Sequence, residues 1–187
     1  FVAHGESVAQ VHPIENLDIE TSRRDDLNIL TSREIERTYA MTAWDPERYL
    51  TYSDERGRPF VDLLRRVDAD RPKTVVDLGC GPGNLTALAA GHWPEARVVG
   101  LDSSAPMIDK ARATINGVDF AVADLRDWAD SVVPGSVDVL LSNATLQWVP
   151  GHLDLLPALA GAVGKGGWFA FQVPGNFDQP SHRLREE

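Results

Sequence analysis

The 187-residue chain has a single cysteine, Cys80, which excludes an intrachain disulfide framework and suits a reducing, cytoplasmic setting. Its five histidines, His4, His12, His92, His152 and His182, are scattered without metal-ligand spacing, so no metal site is expected. No apolar run approaches the roughly 20 residues that span a bilayer, and residues 1–40 lack a signal peptide's apolar stretch, so no membrane association or export is expected. Positive charge is scarce as well: 18 Lys and Arg against 28 Asp and Glu leave a net −10, with no basic run. Such a field repels phosphate backbones, which disfavours nucleic acid as a partner. What is present, 43% hydrophobic and 25% charged residues, is the composition of a globular protein long enough for one real core.

Two regions differ in texture. Residues 1–40 are rich in charge, with a Ser-Arg-Arg-Asp-Asp stretch at 22–26 and only isolated apolar residues such as Ile14, Leu17 and Ile19. They read as an extension, poorly ordered or partly helical, either a regulatory arm or sequence of vector origin. Residues 41–187 read as the folded domain, with strand-like and helix-like segments in alternation. Pro59 begins a helix carrying Phe60, Val61, Leu64 and Val67 to about residue 70. Strands are expected at 74–78, 97–101, 118–122, 137–141 and 167–173, helices at 84–90 and from Leu153 to Val163, and a further helix with Ser103 or Ser104 as its cap. Such βαβ alternation requires right-handed crossovers and a mostly parallel sheet covered on both faces, an α/β, Rossmann-like architecture.

The most informative segment is Asp77-Leu78-Gly79-Cys80-Gly81-Pro82-Gly83-Asn84, between the first parallel strand and its helix. Glycines there let the backbone turn tightly and approach a ligand at the carboxyl end of the sheet. The spacing is Gly-x-Gly-x-Gly, whereas the dinucleotide fingerprint is Gly-x-Gly-x-x-Gly. Asp77, two residues before the turn, would repel a pyrophosphate and attract an ammonium or sulfonium, which disfavours a nicotinamide-dependent oxidoreductase. Asp102, 25 residues further on at the end of the second strand, can accept hydrogen bonds from a ribose diol or cap the following helix.

At these residues the sequence resembles the class I S-adenosylmethionine-dependent methyltransferases: 77–83 matches their first motif, Asp102 their ribose-binding acid, and Lys165-Gly166-Gly167 the turn before the fifth strand. The resemblance implies S-adenosyl-L-methionine as cofactor. Gly79 and Gly81 would lie along its methionine part, with Asp77 beside them; Asp102 and the adjoining Ser103 would meet the ribose. Met107 would pack on the adenine, Asp124 and Leu125 would bind its edge, and the Asn143 carbonyl would receive the ammonium. Trp44-Asp45-Pro46-Glu47-Arg48-Tyr49, Asn143-Ala144-Thr145-Leu146-Gln147-Trp148 and Val173-Pro174-Gly175-Asn176-Phe177 further resemble trans-aconitate methyltransferases. That likeness implies methyl transfer to a carboxylate of a small polycarboxylic acid, forming a monomethyl ester.

A carboxylate acceptor is already ionised at neutral pH, so no catalytic base is named; His152 and His182 are read as structural or solvated. Tyr49, Tyr52, Gln147 and Trp148 are the pocket candidates, with Arg48, Arg56 and Arg58 as nearby positive charge. The family pattern has two more strands beyond the fifth, and the sequence as read has only five. The fifth would then be an exposed apolar edge, to be covered by residues 1–40, by a partner chain in an oligomer, or by sequence of a longer protein. If the acceptor pocket were missing, the chain would be a cofactor-binding or interaction domain without turnover.

Overall fold

A computed structural model describes residues 8–13 and 57–173. One six-stranded sheet organises them, built from β1 (Val8–Pro13), β2 (Thr74–Leu78), β3 (Arg97–Asp102), β4 (Asp119–Val122), β5 (Val137–Asn143) and β6 (Val163–Val173). The spatial order is β1-β6-β5-β2-β3-β4; β6 to β4 run parallel and β1 pairs antiparallel with β6. The five parallel strands are those the sequence pattern predicts. From β2 the chain winds outward through β3 to β4, then returns to lay β5 on the other side of β2. The switch point of the sheet therefore falls between β2 and β5, where successive loops diverge and leave a crevice.

Helices α1 (Arg58–Leu64) and α2 (Asn84–His92) cover one face, packing Phe60, Leu63, Leu64 and Leu88 against Val75, Val98, Val139 and Leu141. On the other face, α4 (Leu125–Ser131) and α5 (Leu156–Ala162) bring Ala129, Leu159 and Ala160 onto Val76, Leu78, Leu140 and Phe169. A smaller cluster under α3 (Ala105–Thr114) joins Ile108 and Ala111 to Cys80 and Phe120. The central strands are apolar on both faces because both are covered, which is why they read as continuous hydrophobic runs. Asp138 fixes the start of β2: its Oδ2 accepts the Lys73 and Thr74 amides at 2.7 and 2.8 Å.

Several boundaries differ from the sequence reading. Strand β6 begins at Val163, four residues before Gly167, with an irregularity against β5 that the glycines at 164, 166 and 167 accommodate. The helix expected from Leu153 is a 3-10 turn, His152–Leu155, followed by α5, because Pro157 fits only a first helical turn. Helix α1 closes earlier, at Leu64. Helix α4 was not anticipated at all. Within residues 1–40, where little order or partial helix was expected, Val8–Pro13 is a strand, paired from Val8↔Val173 to Pro13↔Trp168. Of the covers named for the β6 edge, residues 1–40, a partner chain or further sequence, the structure shows the first, and the edge on which an oligomer was argued is taken within the chain. Among the described residues, no helix is long and apolar enough to cross a membrane.

Candidate functional site

The glycine turn is a consequence of close packing. Gly79, Gly81 and Gly83 all take positive φ (73, 55 and 79°). A Cβ on Gly79 would come within 2.1–2.6 Å of the Thr145 side chain, so only glycine lets the β2 turn and the β5 loop touch. A Cβ on Gly81 would meet nothing within 4 Å. No side-chain packing therefore requires glycine at 81, where the Cβ position faces open space.

Asp102 ties this turn to the end of β3. Its Oδ2 accepts the Gly81 amide at 2.9 Å and its Oδ1 the Ser104 amide at 2.8 Å, so the carboxylate braces the glycine turn and the chain just ahead of α3 at once. Of the two roles expected for Asp102, it does not cap α3, which has no side-chain cap bond, whereas acceptance from a diol stays open because each oxygen keeps a further acceptor site. Ser104 is the N-cap residue of α3, and Ser103 lines the crevice.

The crevice is a cavity of about 420 Å³ at the carboxyl ends of β2, β3, β4 and β5. Gly79, Asp102, Ser103, Asp124, Leu125 and Trp148 line it, six of the residues singled out from the sequence. Asp124 has a second task that explains α4: its Oδ1 accepts the Arg126 and Asp127 amides at 2.8 and 3.4 Å as a helix cap. The Leu125 amide is not among those the cap satisfies, which leaves it as a donor at a helix start.

Other candidates stand apart from the cavity lining. Asp77 lies behind the turn, 2% exposed, with its Oδ2 accepting the Thr86 hydroxyl at 2.7 Å. Burial pushes its carboxyl up from 3.8 to about 6; the Thr86 bond opposes this and the nearby Asp102 charge adds to it. Burial first, then the Asp77 and Asp102 charges, also push the Cys80 thiol up to about 12, so it is a packing residue and not a nucleophile. Met107 is 43% exposed on α3, outside the lining. Asn143 ends β5; its carbonyl, expected to receive a ligand ammonium, lies 3.1 Å from the Thr145 hydroxyl. Gln147 donates its Nε2 to the Ala144 carbonyl at 2.6 Å. Tyr49, Tyr52, Arg48, Arg56 and His182 lie outside the described residues, while Arg58 opens α1.

Among the lining residues that sequence reasoning missed, two make hydrogen bonds that shape the crevice. Thr145 clamps the crevice between the Gly79 and Asn143 carbonyls, at 3.3 and 3.1 Å, and it sits inside the 143–148 stretch that carries the family likeness. Arg126 donates to the Pro150 carbonyl and so pins α4 to the loop that carries Trp148. No spacing reveals a contact across 24 residues of chain. Ala144, next to Thr145 in the lining, is at φ 53° the one non-glycine residue with positive φ among the described residues. It is held there by its amide bond to the Gln172 carbonyl at 2.8 Å and by the Gln147 side chain. Strain of this kind persists where a site over-determines the backbone.

Comparisons with known proteins agree with this geometry. Residues 75–167 match a family described as a methyltransferase domain. A trans-aconitate 2-methyltransferase of Streptomyces avermitilis is 53% identical over 156 residues, taking in 79% of this chain and 57% of that protein. One from Mycolicibacterium gilvum is 58% identical over 140 residues, 75% of this chain and 53% of its own. Among solved structures, a putative S-adenosylmethionine-dependent methyltransferase from Listeria monocytogenes aligns with a TM-score of 0.55 and 27% identity, over 64% of this chain and 53% of that one. The chain thus spans a little over half the length of the curated relatives it matches. Sheet order, glycine turn and matches converge: residues 75–167 match a methyltransferase domain, and the described body of the chain has the class I, Rossmann-like fold of the S-adenosylmethionine-dependent methyltransferases.

Proposed function

We propose that the chain carries methyl transfer from S-adenosylmethionine to a carboxylate of a small polycarboxylic acid such as trans-aconitate, giving a monomethyl ester. The observation that carries this reading is the cavity at the switch point, where Asp102 and the glycine turn face the loop after β5. The names of the curated relatives supply the acceptor class.

The residues present fit the cofactor. The space at Gly81 that a Cβ would occupy is free, so a ligand can run along that backbone. Asp102 keeps acceptor capacity for a diol while the Gly81 and Ser104 amides hold it still. Asp124 and the Leu125 amide supply an acceptor and a donor side by side for a heterocycle edge, and a volume of about 420 Å³ is in the range of small-molecule sites. Carboxylates at 77 and 102 favour a ligand of net positive charge. When bound, the cofactor supplies a methyl group on a sulfonium whose departure needs no acid.

The protein's own task is then to position and to dry the site. A carboxylate acceptor arrives ionised, so no residue has to take a proton. Alignment of the reacting groups is worth roughly 7–11 kcal/mol, and expelling water from the anion adds to it. Thr145 and Arg126 serve the first end by fixing the two walls of the crevice relative to each other. Trp148, 73% exposed at the rim, offers an apolar surface to close against.

Calorimetry with S-adenosylmethionine, followed by transfer of a radiolabelled methyl group to trans-aconitate, tests the reading. Micromolar binding and ester formation are expected. Because the chain spans about half of its relatives' length, a cofactor-binding domain without turnover is the second reading, and binding with no transfer to any di- or tricarboxylate would establish it in place of the first.

A further inference from the structure

Three amide-bearing residues are tied to the strained Ala144, Asn143 as its chain neighbour, Gln147 through its Nε2 and Gln172 through its main-chain carbonyl, and all three carry a buried side-chain oxygen without a hydrogen-bond partner among the described residues: Asn143 Oδ1, Gln147 Oε1 and Gln172 Oε1. Resting on the methyltransferase reading above, we propose that Asn143 and Gln172 form a neutral amide subsite that binds a carboxylate of the methyl acceptor, with Gln147 as the residue that positions it.

Placement is the first argument. Asn143 and Gln172 are register partners at the carboxyl ends of β5 and β6, the end of a parallel sheet where ligands bind. By strand alternation they share a face with Leu141 and Ala170, which are fully buried beneath them. An apolar pair would continue that core. Instead Gln172 is 3% exposed, and neither residue has a side-chain hydrogen bond among the described residues. A buried polar group left unpaired is costly; the unpaired atoms are acceptors as they stand, so an anion pairs with these amides only once they turn their N–H groups into the same positions, and an external partner that fixes that orientation is the reason for two of them in register.

Proximity to the reacting end is the second. Ala144 lines the cavity, yet its amide is bound by the Gln172 carbonyl and its own carbonyl by Gln147 Nε2, so one turn separates cavity from amides. The third argument is chemical. The terminal torsion of a primary amide is broad and two-fold, so unanchored Asn143 and Gln172 can turn their N–H groups toward an anion. Neutral donors hold a carboxylate without neutralising it, whereas a bidentate arginine would stabilise the anion most strongly before reaction.

The test titrates trans-aconitate calorimetrically into the full chain saturated with S-adenosylhomocysteine, using the wild type, Gln172→Leu and Gln172→Glu. Gln172→Leu is expected to raise the acceptor Kd at least about tenfold, with Kd for S-adenosylhomocysteine within about twofold and Tm unchanged or higher. Gln172→Glu, which keeps the shape but has no N–H and adds negative charge, is expected to lose more. Unchanged acceptor affinity in Gln172→Leu overturns the proposal. So does tighter S-adenosylhomocysteine binding by Gln172→Glu, which would mean that the amides take the ligand's ammonium. A wild type that binds the acceptor without methylating it sinks the transfer reading and leaves the subsite standing. A wild type that binds no S-adenosylhomocysteine sinks both.

Discussion

Asp77 is the residue where the sequence motif and the structure differ most in emphasis. The motif marks it as a ligand contact; the fold buries it behind the turn, bonded to Thr86. Its carboxyl titrates near 6 when folded and near 3.8 when unfolded, so between those values the native state binds the extra proton. Stability is therefore greatest below pH 3.8 as far as this group is concerned and falls as pH rises to about 6, by about 3 kcal/mol at 1.36 kcal/mol per unit. In Asp77→Asn this fall should disappear, and chemical denaturation between pH 4 and 7 measures it. Parallel curves for the two proteins would mean that the group is not buried as described. The glycines separate packing from binding in the same way. Gly81→Ala meets no atom within 4 Å and should cost only the left-handed strain, about 1–2 kcal/mol, while weakening S-adenosylmethionine binding at least about tenfold. Gly79→Ala collides with Thr145 and should lower Tm much further. Equal Tm losses in the two variants would contradict this division, and thermal melts with and without cofactor read it out.

Elements were legible where their causes are local. Strand β2 matches its expected bounds because Thr74-Val75-Val76 is β-branched and Pro72 and Gly79 bracket it. Helix α4 is not legible in the sequence because Leu-Arg-Asp-Trp-Ala-Asp-Ser has little apolar periodicity; its start lies in the Asp124 cap, a residue that the family likeness marks as a ligand contact. The candidate site was legible to the same extent. Residues that each close a separate strand, Gly79, Asp102 and Asp124, do line the cavity as their local patterns suggest, while Arg126 and the pairing of Asn143 with Gln172 depend on contacts between distant segments. Strand β1 is the extreme case, since its six residues pair with strand β6 some 160 positions away and no local pattern requires it. Removing residues 1–13 should therefore expose the long edge of β6 and drive self-association relative to the full chain. Light scattering coupled to size exclusion follows this; a truncated chain as monodisperse as the full one would show that β1 does not protect the edge.

At the scale of the whole molecule the net charge of −10 sets the two ligands against each other. S-adenosylmethionine carries a net positive charge and is drawn toward the protein, while a tricarboxylate is repelled by it. Raising ionic strength from about 0.01 to 0.15 M shortens the screening length from roughly 30 to 8 Å, which removes most of this long-range field and little of any contact inside the crevice. An acceptor held by amide N–H groups has no ion pair to lose, so screening acts only on the repulsion. The KM for trans-aconitate should fall with added salt while that for S-adenosylmethionine rises or stays constant, in initial rates measured at fixed pH. A pocket built on arginine and carboxylate pairs gives the opposite sign for the acceptor, because screening then weakens the attraction that holds it. The sign of that one slope separates a neutral acceptor site in a negative field from a cationic one, and a rise in acceptor KM with salt would remove the physical ground for the Asn143 and Gln172 subsite.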